Sequence, residues 1–135
     1  MTKKLTLHND VQQISKLADF VDAIAEEASI DPSLAMSLNL ALEEAVTNVV
    51  MYAYPAGEEG DVDIVAALSD GSLLFTISDK GIPFDPTKKE DADITLGVEE
   101  RQIGGLGIFL VRQLMDTVEY ERKDGYNILT MKKKL

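Results

Sequence analysis

Three short stretches of this chain combine residue types that chemistry uses. The first is Leu40-Ala41-Leu42-Glu43-Glu44-Ala45-Val46-Thr47-Asn48-Val49-Val50-Met51-Tyr52, where a carboxylate, Glu44, stands four residues before an amide, Asn48. On a helix those two side chains lie about 40° apart around the axis and one turn along it. Asn48 has apolar neighbours, and burying an amide without partners costs free energy. Either the pair sits on a solvent face or the amide has a ligand to meet. The second stretch is Asp79-Lys80-Gly81-Ile82-Pro83, directly after an apolar run. An ionised Asp is acceptor-only and can read an amino group such as that of adenine, although Asp-x-Gly alone is also a common turn. The third is Gly104-Gly105-Leu106-Gly107, ahead of another apolar segment. Glycines at a helix start let backbone N–H groups approach an anion, and the helix dipole favours phosphate there. The same glycines would serve equally as a flexible entry to a core helix. The spacing of a P-loop is absent, so a phosphate cradle here is of another kind.

The elements that position these stretches follow from periodicity and turn chemistry. Leu5 and Leu7 alternate with polar neighbours, which predicts a short first strand. Asn9 or Asp10 can cap a first helix, with Val11, Ile14, Leu17, Val21, Ile24 and Ala28 on one face. Asp31 as cap and Pro32 at the first helical position start a second helix. It runs to about Tyr52, before Pro55 and Gly57. Strands over Val62–Leu68 and Leu73–Ser78 are joined across Asp70-Gly71, a hairpin signal. From Gly81 to about Gly105 no periodicity survives, which marks a lid or binding loop. Leu106 to Met115 reads as a third helix, and Val118–Arg122 and Tyr126–Lys132 as the last strands, turned by Lys123-Asp124-Gly125. This order describes a single α+β domain over residues 1–135. Its architecture is a two-layer sandwich, with a largely antiparallel or mixed five-stranded sheet and three helices on one face.

Composition excludes several function classes. Residue counts of 24 acids against 13 bases give a formal charge of −11. Such a surface repels phosphate at long range and argues against a nucleic-acid binder. The clustered bases Lys3-Lys4 and Lys132-Lys133-Lys134 read as solubilising termini. There is no cysteine, hence no disulfide, thiolate metal site or cysteine nucleophile. The one histidine, His8, has no partners for a metal site and reads as a strand-end surface residue. No apolar run approaches the ~18 residues that span a bilayer, and the first residues do not form an apolar signal segment. The expectation is a cytoplasmic protein with no membrane contact.

Taken in order, the three stretches resemble the boxes of the GHKL ATPases, which have the Bergerat fold. The segment Glu44 to Asn48, followed by Tyr52-Ala53-Tyr54, looks like the N box. Asp79-x-Gly81-x-Pro83 is similar to the first glycine box, and Gly105-Leu106-Gly107-Ile108 to the second. The likeness runs from the second helix to the final strand, and it points to the small anti-sigma-factor serine/threonine kinase branch. The resemblance implies that ATP and Mg²⁺ are bound, with Asn48 as metal ligand and Glu44 as general base on the attacking hydroxyl. It gives Asp79 the adenine amino group, with Gly81 leaving room for the ring. It gives the Gly104, Gly105, Leu106 and Gly107 run the phosphates, and makes Phe84 to Ile103 an ATP lid. Some kinases of this branch carry an arginine beside the second glycine box, where Arg101 stands, and a threonine on the last strand near adenine, where Thr130 is the candidate. The implied function is an anti-sigma factor and partner-switch kinase. It phosphorylates a serine or threonine of a small anti-anti-sigma (STAS) protein, and otherwise holds a sigma factor inactive. Kinases of the branch are often homodimers. The alternative is a non-catalytic ATP-binding module that sequesters its partner. A histidine autokinase is a third class, against which the lone His8, outside a phosphoacceptor helix, speaks.

Overall fold

The computed structural model of the chain describes residues 1–55, 57–88 and 107–135. Strand alternation decides which side of the sheet is buried. In β2 (Asp61–Ser69), Val62, Ile64 and Ala66 are buried, and in β3 (Ser72–Asp79), Leu73, Phe75, Ile77 and Asp79 are buried. With β1 (Thr2–His8), β4 (Thr117–Lys123) and β5 (Tyr126–Lys134) they form one sheet in the order β1-β2-β3-β5-β4. Every pairing is antiparallel, so the mixed variant of the expected sheet is not what forms. The two hairpin turns, Asp70-Gly71 and Asp124-Gly125, hold positive φ at both residues. That is the conformation a two-residue hairpin needs and the reason glycine follows aspartate in each.

The buried face is covered by α1 (Lys16–Ala28), α2 (Pro32–Asn48) and α3 (Gly107–Leu114). Helix α2 packs against both of the others and so holds the middle of the layer. The predicted start at Asp10 holds, since its Oδ1 accepts the Gln12 N–H at 2.9 Å. The first turn that follows, Val11–Ser15, is 3₁₀ and not α. Leu17, Ile24, Leu38, Leu42, Val46 and Ile108 meet Leu7, Ile64, Phe75, Ile77 and Met131 of the sheet in one core. Helix α2 differs most from expectation. Its α-helical part stops at Asn48, and the chain continues as a π turn over Val49–Ala53 before Pro55. Single π turns inside or after α-helices are often found at functional sites. No helix among the described residues is long and apolar enough to cross a membrane.

Candidate functional site

Asp79 ends β3 on the helix-facing side of the sheet and is 2% exposed. Its Oδ1 accepts the Gly81 N–H at 2.8 Å and the Asn127 amide at 2.9 Å. Among the described residues no hydrogen bond reaches Oδ2. Burial pushes this carboxyl up from its ordinary value; the Asn127 and Gly81 hydrogen bonds and the Arg122 charge pull the other way. Keeping the acceptor-only carboxylate here costs free energy, which the Asn127 and Gly81 donors partly offset.

The turn after Asp79 is docked onto the end of the π turn. The Ile82 N–H donates to the Ala53 carbonyl at 2.8 Å. A Cβ on Gly81 would come within 2.3 Å of that same carbonyl oxygen. On that side the space that glycine leaves is taken by Ala53, so the turn packs closely only with glycine here. Arg122 donates from Nη1 to the Gly81 carbonyl at 2.8 Å. The Tyr54 hydroxyl donates to the Asp61 carbonyl at 2.7 Å and accepts the Lys80 N–H at 3.2 Å. Asp79 thus lies between two spaces. One is a narrow apolar slot between the layers, lined by Val49, Ile77, Phe84, Tyr120 and Leu129. The other is an open cleft of about 660 Å³ bordered by Tyr54, Lys80, Gly81, Arg122 and Tyr126. Phe84, one of the slot's walls, stacks on Tyr52 with ring centroids 5.3 Å apart.

Asn48 is the last residue of α2 and 2% exposed, which removes the solvent-face reading of the Glu44–Asn48 pair. Its Oδ1 is buried and accepts no hydrogen bond among the described residues. A buried orphan amide oxygen is costly, and a hard cation is the partner it suits. Glu44, one turn earlier, is partly buried, and its carboxyl is raised by burial and secondarily by Glu43. Glu43 itself accepts the Asn39 amide at 3.1 Å. Val49, next after Asn48, lines the same slot as Asp79, so the first two boxes meet there. Gly107 opens α3, which packs against α2. Among the described residues no three His, Cys, Asp or Glu side chains converge. A divalent ion beside Asn48 would therefore need further oxygens from a bound polyanion, which is how Mg²⁺ is commonly held.

Thr130 is not part of this site. It pairs with Thr76 and shares its face of β5 with Ile128, whereas Asn127, Leu129 and Met131 face the helices. The period of two puts it on the far side of the sheet from Asp79. The β5 residue beside Asp79 is Asn127, its direct partner in the β3–β5 pairing. Arg101, Gly104, Gly105 and Leu106, with most of the expected lid, lie outside the described residues. Sequence reasoning gave no role to Asn127, Arg122, Tyr54 or Gly60, above which the Tyr54 ring lies so closely that a Cβ would come within 2.1 Å of it. The alternation that starts at the Asp124-Gly125 turn could have placed Asn127 on the core face, as a polar residue among apolar ones.

A family model described as the histidine kinase-like ATPase domain matches residues 7–133. The serine-protein kinase RsbW of Listeria monocytogenes serovar 1/2a is 31% identical over 116 residues, covering 83% of this chain and 74% of its own length. The serine/threonine-protein kinase BtrW of Bordetella bronchiseptica is 30% identical over 98 residues, covering 73% and 69%. Among solved structures, the RsbU and RsbW domains of a Mycobacterium tuberculosis protein superpose with a TM-score of 0.71 at 18% identity, over 100% of this chain and 32% of that one. A chain of the SiaB–SiaC complex from Pseudomonas aeruginosa gives 0.56 at 16% identity, over 97% and 89%. Both share the fold.

Proposed function

This chain belongs to the histidine kinase-like ATPase family, and on that premise we propose that it is an ATP- and Mg²⁺-dependent serine/threonine protein kinase. It acts as a partner-switch regulator, passing the γ-phosphate to a small anti-anti-sigma-like (STAS) protein. The observation that carries this reading is the end of α2, where Asn48 offers a buried Oδ1 with no partner among the described residues, one turn after a carboxyl raised by burial. Asn48 fits a Mg²⁺ ligand, and the ion when bound supplies charge neutralisation for the phosphates. Glu44 takes the proton of the acceptor hydroxyl. A carboxyl raised above its ordinary value is a better base near neutral pH than an exposed one. Asp79 accepts a hydrogen bond from the adenine amino group through Oδ2, which has no donor among the described residues. The helix start at Gly107 receives phosphate oxygens, together with the glycines before it.

The relatives named as serine or serine/threonine kinases support a protein acceptor. The fold shared with the SiaB–SiaC complex supports engagement of a protein partner. Restraint of a sigma factor, a homodimeric state and a cytoplasmic location belong to the same proposal. Calorimetry tests it: the wild-type protein binds ATP more tightly with Mg²⁺ present, and Asn48→Ala loses that Mg²⁺-dependent gain. Absence of ATP binding by the wild type would end this reading.

A further inference from the structure

Every hydrogen-bonding position of the Asn127 amide is filled inside the fold. Its Nδ2 donates to Asp79 Oδ1 at 2.9 Å and to the Ile82 carbonyl at 2.8 Å. Its Oδ1 accepts the Phe84 N–H at 3.2 Å and the Tyr120 hydroxyl at 2.5 Å. These neighbours fix which way the amide points. Turned over, it would set its oxygen against a carboxylate and a carbonyl, and its NH₂ group against the Phe84 N–H. The residue is 5% exposed and stands opposite Asp79 in the β3–β5 register. An amide saturated in this way has nothing left to offer a ligand, so it acts on one through the groups it holds, and of these Asp79 carries the charge.

We propose that Asn127 is the positioning residue for base selectivity: by holding Asp79 Oδ1 together with the Gly81 N–H, it presents Oδ2, which takes no donor among the described residues, and keeps it an acceptor. The site then takes a 6-amino purine and rejects a 6-oxo purine. This rests on the reading of Asp79 as the base-recognition group. Two N–H donors on one oxygen favour the ionised carboxyl. The ionised form has no hydrogen to give a 6-oxo group, whereas a protonated carboxyl does. Burial works against ionisation here, and the other charged or titratable groups bearing on Asp79 are Arg122 and Tyr120 of β4 and Tyr54 beyond the π turn. Without the Asn127 donor, Asp79 keeps its proton to higher pH and becomes able to donate.

The test compares the affinities of ATP and inosine triphosphate, which differ at purine position 6, in the presence of Mg²⁺ and across mildly acid to mildly alkaline pH. The wild-type protein favours ATP. Asn127→Ala weakens ATP about tenfold or more, the usual worth of a hydrogen bond to a charged group. It also narrows the ATP preference and moves the pH midpoint of ATP binding upward. Equal weakening of both nucleotides with an unmoved midpoint would mean that Asn127 only supports the fold, and would overturn the inference. If Asn127→Ala does not fold, Tyr120→Phe removes one of the bonds that orient the amide. It then gives the same narrowing and the same upward movement in smaller measure, and an unchanged ratio and midpoint overturn the inference. Asp79→Asn separates the two levels. If it alters selectivity while the Asn127 and Tyr120 variants do not, only this inference fails; if Asp79→Asn changes neither affinity nor selectivity, the base-recognition reading fails and this inference with it.

Discussion

Asp79 and Asn48 are both placed where folding alone would not put them. Burial of Asp79 raises its carboxyl above the ordinary value despite two N–H donors and Arg122. The raised value fixes the sign of its effect on stability. The native state favours the protonated form, so this contribution is fully present below the unfolded-state value of ~3.9. It is lost as pH rises through the raised native value. Glu44 shifts in the same direction. Asp79→Asn keeps the two acceptor contacts on one oxygen and removes the buried charge. The empty variant should therefore unfold at no lower a temperature than wild type at neutral pH, and should lack the decline in stability with rising pH that Asp79 causes. Its ATP affinity should fall by about 1.5–3 kcal/mol, because an acceptor is replaced by a donor. A clear drop in the melting temperature of the empty variant would show that Asp79 is structural. The residue types here were legible in the sequence: an Asp at a strand end and an Asn on a helix announce themselves. Asn127 was not, because its importance comes from a partner 48 positions earlier, brought opposite by strand register.

At the scale of elements, the site is made where the end of α2 meets the end of β3. The π turn over Val49–Ala53 carries the chain from Asn48 to the carbonyl of Ala53, on which the Asp79–Ile82 turn is docked. Neither Gly nor Pro marks its start, so a continuous helix to about Tyr52 was the natural expectation. The π turn changes the phase of the residues that follow. The sequence likewise located the hairpins, whose Asp-Gly pairs have a local cause, but not the side of the sheet that Thr130 faces. That depends on where β5 begins, at Tyr126, and a shift of one residue reverses every side chain. Gly81→Ala is the direct test of the docking contact. Its Cβ would meet backbone 2.3 Å away, and backbone has little freedom to give. A cost of about 1–3 kcal/mol is expected, as for overpacking elsewhere. Thermal unfolding of the empty protein reads it, and a variant as stable as wild type would contradict the contact.

The whole molecule carries a formal charge of −11, yet the reading asks it to bind a polyanion. Screened repulsion gives this a sign. Association of MgATP should be faster at ionic strengths near 0.15 M, where the Debye length is about 8 Å, than at 0.01 M, where it is about 30 Å. Stopped-flow binding checks it, and a rate that falls with added salt would reveal a local positive funnel strong enough to outweigh the net charge. Charge and composition spoke early against nucleic acid, but they carry no information about a protein acceptor; only the site and the relatives do. Phosphoryl transfer with Glu44 as base is read directly by single-turnover transfer. Labelled phosphate passes from ATP to a small anti-anti-sigma-like protein that binds this chain, with Mg²⁺ present, and wild type is compared with Glu44→Ala and Glu43→Ala. Glu43 points about 100° away around the helix and serves as the control. Wild type should transfer, Glu43→Ala should transfer at a rate close to it, and Glu44→Ala should lose roughly 10²–10⁴-fold at nearly unchanged ATP affinity. Equal rates for wild type and Glu44→Ala, or binding of the partner without transfer by any of the three, would contradict this expectation.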